Sequence, residues 1–287
     1  HGRSGYTMTL TNTSDPRKTM YYPKFEWFKV NNPTLFFPIT DDILKEIQID
    51  EEKVIKNIYN IINDNPDDIA GIILEPIQGE GGDNHFRSEF LMQIRKICDD
   101  NDIILIFDEV QTGVGITGKM WAHETLNVKP DILSFGKKTQ VCGMLAGDRI
   151  YNMKDNVFKE SSRINSTFGG NLVDMYRFKL ILEIIQNENL LDNAKNMGKY
   201  LLDNIICLSE NYPGYITNPR GCGLFCAFDL PSTSERDLLI KKLLKEKLII
   251  LGSGDQSIRF RPHLNVSKEE LDLAITSIDK ATKGILN

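Results

Sequence analysis

Between residues 41 and 62 the apolar positions Ile43, Leu44, Ile47, Val54, Ile55, Ile58, Ile61 and Ile62 fall mostly three or four apart, which predicts one or two helices. The period then shortens. "AGIILEP" (70–76) is a short apolar run closed by proline and predicts a strand; the glycine-rich "QGEGGDN" after it predicts a loop. Residues 87–101 return to helical spacing, with Phe90, Leu91, Ile94 and Ile97 on one face. "DIILIFDEV" (102–110) is apolar without interruption up to its acids, the pattern of a strand buried on both faces. A short helix in "GKMWAHETLNV", a strand in "DILSFG" and another in "AGDRIY" follow.

Residues 171–212 carry two helices, or one that breaks at the polar "QNEN". After about Asp192 the units become smaller. "GCGLFCAFDL" predicts a strand, "STSERDLLIKKLLKEKLII" a helix and then a strand, and "SIRFRP" a short strand before a last helix. Ser234 with Asp237, and Ser267 with Glu270, have the spacing of capping boxes. Strands alternating with helices define an α/β class with a mainly parallel sheet, and the tail reads as a smaller α+β unit. The division falls into residues 1–191 and 192–287.

Composition narrows the function classes. A chain with 41% hydrophobic and 26% charged residues is an ordinary globular protein. A net charge of -6 argues against a nucleic-acid surface. No apolar run approaches the roughly 18 residues of a membrane span. Five cysteines at irregular spacing argue against a disulfide framework and for a reducing, cytoplasmic setting without a secretory signal. None of the four histidines pairs with a cysteine at zinc spacing, so no metal site is expected. The opening "HGRSGYTMTL", without an initiator methionine, reads as a segment that begins in mid-protein.

Three stretches carry candidate chemistry. "GVGITG" (113–118) matches the dinucleotide-binding GxGxxG string. That motif closes the turn directly after its strand, whereas "DEVQT" intervenes here and puts two acids where a pyrophosphate would approach; the nucleotide reading is set aside. Asp108 ends a predicted parallel strand, where α/β folds bind ligands; a salt bridge or helix cap explains it equally well. Lys137, at the end of "ILSFG", is placed to become a nucleophile if desolvation favours its neutral amine; the bland alternative, a solvated loop lysine, suits Lys138. Taken together, an acid and a lysine at two strand ends suit a pyridine cofactor held between them. The carboxylate keeps the ring nitrogen protonated, and the amine condenses with an aldehyde.

"IFDEVQTGVGITG", "KPDILSFGKKTQVCG" and "NSTFGGN" together resemble the class III (omega) aminotransferases, which depend on pyridoxal 5'-phosphate and have fold type I. Within that family "HGRSGYTMTLTNT", "LEPIQGEGGDNHFRSEF" and "IRFRPHLNVS" are more similar to enzymes acting on the ε-amine of L-lysine than to those using ornithine or GABA. The resemblance implies that Lys137 is the Schiff-base lysine and proton shuttle, that Asp108 pairs with the pyridine nitrogen, and that Lys138 is a bystander. It implies that Val110 packs on the ring, that Gln111 bonds its hydroxyl, and that Glu75 supports Asp108. Thr167 would reach the cofactor phosphate across a homodimer interface. Arg3 would grip the α-carboxylate of lysine. Arg259 would bind the keto acid 2-oxoglutarate, with Glu80 covering it while lysine reacts. Asn165 would contact substrate.

The resemblance also implies that an aromatic residue stacking on the cofactor, and a glycine/serine turn for its phosphate, precede residue 1. Loss of that region would expose apolar surface. Two alternatives therefore stand beside lysine transamination: another omega-aminotransferase, using ornithine, GABA or a diamine, and a catalytically incomplete fragment.

Overall fold

The computed structural model describes residues 1–2, 4–13, 20–21 and 23–287. Its elements run α1 (Gly5–Leu10), α2 (Asp41–Asp64), β1 (Gly71–Leu74), β2 (Ile77–Gln78), β3 (Asn84–His85), α3 (Ser88–Asp100), β4 (Ile104–Asp108), α4 (Ala122–Leu126), β5 (Ile132–Phe135), β6 (Gly143–Ala146) and α5 (Asp148–Tyr151). Then come α6 (Leu172–Asn187), α7 (Leu190–Asn211), β7 (Thr217–Cys222), β8 (Phe225–Asp229), α8 (Thr233–Lys245), β9 (Leu251–Ser253), β10 (Ser257–Phe260) and α9 (Lys268–Leu286).

The first sheet has the order β1-β4-β5-β6; β1, β4 and β5 are parallel and β6 is an antiparallel edge. Register makes its two faces unequal. Ile72 pairs with Leu105, Leu74 with Phe107, and Phe107 with Leu133, so these residues share a face. That face joins one buried cluster with Phe90, Leu91, Ile94 and Ile97 of α3 and Val54 and Ile58 of α2. The opposite face carries Ile73, Ile106 and Ile132. Ile73 is 45% exposed, and Met144, across from Ser134 on that face, is 42% exposed. The expectation that 102–110 is buried on both faces is thus corrected. Leu105 and Phe107 are fully buried, while Ile104 and Ile106 are only partly covered because α2 and α3 pack under the other side.

The second sheet, β7-β8-β10-β9, is antiparallel throughout. One face packs Phe228, Ile258 and Phe260 against Leu201 and Ile205 of α7, Leu239 and Leu243 of α8, and Leu271 and Ile278 of α9.

Three local expectations change. "GCGLFCAFDL" is not one strand: the chain turns at Gly223, and β7 and β8 form a hairpin. Gly223 has φ +55°, and a Cβ there would lie 2.5 Å from the Ile116 carbonyl oxygen, so the continuous apolar run hides a turn in tight contact with another segment. "AGDRIY" splits into the end of β6 and the helical turn α5, whose Arg149 donates to the Ile103 carbonyl at 3.0 Å and to Asp102 at 2.5 Å. Helix α8 is capped by Ser232, whose hydroxyl accepts from the Glu235 amide at 3.2 Å, and not by Ser234 with Asp237. The Ser267–Glu270 capping box and the break between α6 and α7 at "QNEN" form as expected.

Candidate active site

The face alternation that leaves Ile73 and Ile106 half-covered also decides where the acids point. Glu75 follows β1 two residues after Ile73, and Asp108 ends β4 two residues after Ile106, opposite Ser134 of β5. Asp108 is buried. Its Oδ1 accepts from the Val110 amide at 3.1 Å and the Ser134 hydroxyl at 3.2 Å. Its Oδ2 lies 2.9 Å from His1 Nδ1. His1 Nε2 sits 3.5 Å from Glu75 Oε1, while Glu75 Oε2 accepts from the Gly79 amide at 2.9 Å. Burial pushes the Glu75 carboxyl up to about 7 and Asp108 adds to the rise, against the Gly79 amide and Lys137.

One strand over, β5 runs into Gly136 and a 3-10 turn, Lys137–Thr139. A Cβ on Gly136 would meet Cys142 Sγ at 3.1 Å and Val110 Cγ1 at 3.7 Å, so this strand end is narrow. The two lysines part here. Lys137 is exposed, with φ +49°. Lys138 is half-buried and its Nζ donates to the Gln111 carbonyl at 2.6 Å. Burial, with Arg261 and Lys137 nearby, pushes the Lys138 amine down to about 7 against the pull of Glu109. The Gln111 side chain packs on Gly79, where a Cβ would lie 2.7 Å from Gln111 Cδ.

Glu80 and Arg259, 179 residues apart, meet: Arg259 Nη1 donates to Glu80 Oε2 at 3.1 Å. Asn165 and Thr167 lie in an exposed stretch between α5 and α6, and among the described residues neither is hydrogen-bonded to the strand-end groups. Arg3 lies outside the described residues. The structure thus brings Glu75, Asp108, Val110, Gln111 and Lys137 to adjacent strand ends and joins Glu80 to Arg259.

Several site neighbours were not singled out by sequence reasoning. His1 bridges the two acids; its "HG" wording was the available signal. Ser134 supports Asp108 from the next strand, which only register reveals. Glu109, next to Asp108, is fully buried and accepts from the Ala122 amide at 2.7 Å and the His123 amide at 3.0 Å, fastening the start of α4. "GVGITG" is absorbed by packing: Ile116 accepts from the Leu224 amide at 2.8 Å, which joins this turn to the second sheet. Among the described residues no group of three or more His, Cys, Asp or Glu side chains is arranged to hold a metal ion, and no helix is long and apolar enough to cross a membrane.

The donor set suits a protonated pyridine carrying an aldehyde: a buried carboxylate, an accessible amine on the adjacent strand end, and a glycine between them that keeps the approach clear. An α/β sheet with that pair at its strand ends is the arrangement of a pyridoxal-phosphate enzyme of fold type I. The chain belongs to the class-III aminotransferases, whose family model matches residues 1–282. It is 47% identical over 281 residues to the L-lysine-epsilon aminotransferase of Mycobacterium tuberculosis, covering 98% of this chain and 62% of that protein. It is 35% identical over 271 residues to the mitochondrial 4-aminobutyrate aminotransferase of Homo sapiens, covering 92% of this chain and 52% of that one. The solved lysine aminotransferase from M. tuberculosis in the internal aldimine form superposes with a TM-score of 0.95 at 46% identity, over 99% of this chain and 65% of that chain. The chain therefore spans less than two thirds of the length of these relatives.

Proposed function

We propose that this chain serves a transaminase that moves the ε-amino group of L-lysine to 2-oxoglutarate, giving 2-aminoadipate 6-semialdehyde and glutamate. The observation that carries the reading is the pairing of Asp108 and Lys137 at adjacent parallel strand ends, on a chain 47% identical to a lysine ε-aminotransferase. Pyridoxal phosphate, when bound, supplies an aldehyde for the substrate amine and a ring that takes up electrons.

The chain's own residues have these roles. Asp108 holds a proton on the pyridine nitrogen, and Glu75 supports it through His1. The Lys137 amine takes a proton from one substrate carbon and returns it to another position. Val110 and Gln111 orient the ring. Glu80 covers Arg259 while the lysine chain is present and leaves it for the second carboxylate of 2-oxoglutarate; a bidentate guanidinium suits that group. Arg3 grips the α-carboxylate of lysine, and Asn165 contacts substrate. Thr167 acts across a homodimer interface, which fits its exposed position in this single chain. The cofactor unit spans residues 1–191, the smaller unit 192–287, and the setting is cytoplasmic.

Borohydride reduction of the chain mixed with pyridoxal phosphate, followed by peptide mapping, tests the assignment. A pyridoxyl label on Lys137 that disappears in Lys137→Ala and persists in Lys138→Ala is expected. A label on Lys138, whose amine burial pushes down to about 7, would overturn it. Separate half-reactions with lysine, ornithine and GABA then test the donor; lysine should be consumed fastest.

A further inference from the structure

Three residues stand side by side across the second sheet. Arg220 of β7 and Arg259 of β10 both pair with Ala227 of β8. Directly paired residues point to one face, so the two arginines flank Ala227 on the face opposite the apolar core. The loop that carries Glu80 lies over this polar face. Arg220 Nη2 donates to the Gly82 carbonyl at 2.6 Å and its Nε to the Asp83 carbonyl at 2.8 Å. Asp83 itself is fully buried; its Oδ2 accepts from the Ser253 hydroxyl at 2.7 Å and its Oδ1 from Arg261. Arg261 is stacked 3.3 Å from the Phe225 ring centroid.

The turn after β9 closes the arrangement from the other side. The Gly254 amide donates to the Glu80 carbonyl at 2.9 Å. Gly254 has φ +51°, and a Cβ there would lie 2.8 Å from Gly82 Cα and 2.9 Å from the Gly81 carbonyl oxygen. Two main chains touch, and only glycine lets them. Arg236 holds the same turn through the Gly254 and Asp255 carbonyls, each at 2.8 Å.

We propose that Gly254, together with the Asp83–Arg220–Arg261 cluster, is the positioning element that seats Glu80 on Arg259; this rests on the reading of Glu80 and Arg259 as the carboxylate switch. Glu80 is held at its own carbonyl and at the two residues that follow Gly81. Its main chain therefore belongs to the sheet that carries Arg259, and its side chain reaches that guanidinium from a fixed backbone. Arg259 is built to exchange partners: its Nη1 donates to Glu80, while its buried Nε has no partner among the described residues. A keto-acid carboxylate competes with Glu80 for this guanidinium. The seat of its loop sets where the Glu80 carboxylate stands against Arg259, so Gly254, Ser253 and Asp83 tune that exchange without touching substrate.

Arginine labelling by phenylglyoxal, read by peptide mass spectrometry on the full chain without cofactor, tests this. An engaged guanidinium reacts slowly and a released one quickly, and buried Arg220 reports unfolding in the same digest. Glu80→Gln should speed labelling of Arg259 several-fold and leave Arg220 slow. Gly254→Ala should do the same, because its methyl group lifts the loop. Gly254→Ala combined with Glu80→Gln should be no faster than Glu80→Gln alone. Ser253→Ala should give a smaller rise in the native background, and decides the matter if Gly254→Ala exposes Arg220. If Glu80→Gln speeds Arg259 while Gly254→Ala and Ser253→Ala keep the native rate, the positioning role is overturned and the Glu80–Arg259 pair stands. An equal acceleration by Gly254→Ala in both backgrounds also overturns it, since the effect would not pass through Glu80. If Glu80→Gln itself leaves Arg259 slow, the switch reading fails first.

Discussion

Two arginine–carboxylate pairs lie on one face of the second sheet and differ in almost every physical respect. Arg220 and Asp229 have side chains 2% and 7% exposed, 2.8 Å apart. Arg220 spends its remaining donors on the carbonyls of Gly82, Asp83 and Asn218 and on Ser257; Asp229 accepts further from Asn218 at 2.7 Å and Ser257 at 2.5 Å. Arg259 and Glu80 are 13% and 51% exposed, joined at 3.1 Å. The first pair is desolvated and saturated, so either partner alone would be a buried, uncompensated charge. The second keeps one side in water, where an ion pair is screened and easily exchanged. Burial and saturation, more than charge type, separate a bolt from a latch.

The sharpest way to break this contrast is Arg220→Met. It leaves Asp229 and two loop carbonyls buried without their donor, and a loss of about 3–5 kcal/mol is expected from urea unfolding. Adding Asp229→Asn should recover part of it, because the stranded charge goes. A loss below about 1 kcal/mol would place Arg220 with ordinary surface pairs.

Glu75 supplies the intermediate case, a buried acid with no guanidinium partner among the described residues. Its ordinary value of 4.5 rises to about 7 in the folded chain. Below 4.5 both folded and unfolded chains carry it protonated; above 7 both carry it ionised, and the folded chain bears the desolvation cost. Its contribution to stability is therefore full at low pH and lost as pH rises through about 7. Glu75→Gln should remove that loss, gaining on the order of 1–3 kcal/mol at pH 8 and nothing at pH 4. Denaturant midpoints across that range check it; an equal effect at both ends would mean that ionisation is not the cause.

How far these features could be read in advance follows from the kind of information each needs. Asp108 and Lys137 were legible because strand ends show in local pattern: acids close the run at Asp108 and a glycine closes the one before Lys137. The Glu80–Arg259 contact came through resemblance, since nothing local links residues 179 apart. The Arg220 cluster was invisible: only sheet register and the overlying loop reveal that all three guanidinium nitrogens of Arg220 are engaged. The hairpin at Gly223 was missed because Gly221 and Cys222 run on into the apolar Leu224–Phe228 without a polar turn residue between them. At α8 the capping-box spacing pointed to Ser234, whereas the helix starts at Thr233 and Ser232 caps it. Ser232→Ala should cost about 1 kcal/mol, and Ser234→Ala only a small fraction of that, in thermal unfolding. A larger loss at Ser234 would restore the cap first expected.

The smallest effect is the most informative about the latch. Glu80→Gln removes one charge from a pair whose carboxylate is 51% exposed and whose hydrogen bond is 3.1 Å long. Its stability should fall by less than about 1 kcal/mol. The loop stays seated, because the contacts of Gly82 and Asp83 with Arg220, and of the Glu80 carbonyl with Gly254, do not involve the Glu80 side chain. Urea unfolding of Glu80→Gln beside Arg220→Met therefore measures the distance between the two pairs directly. Should the two losses match, the exposed pair would be bearing structural load, and an exchangeable carboxylate at Arg259 would be ruled out on energetic grounds.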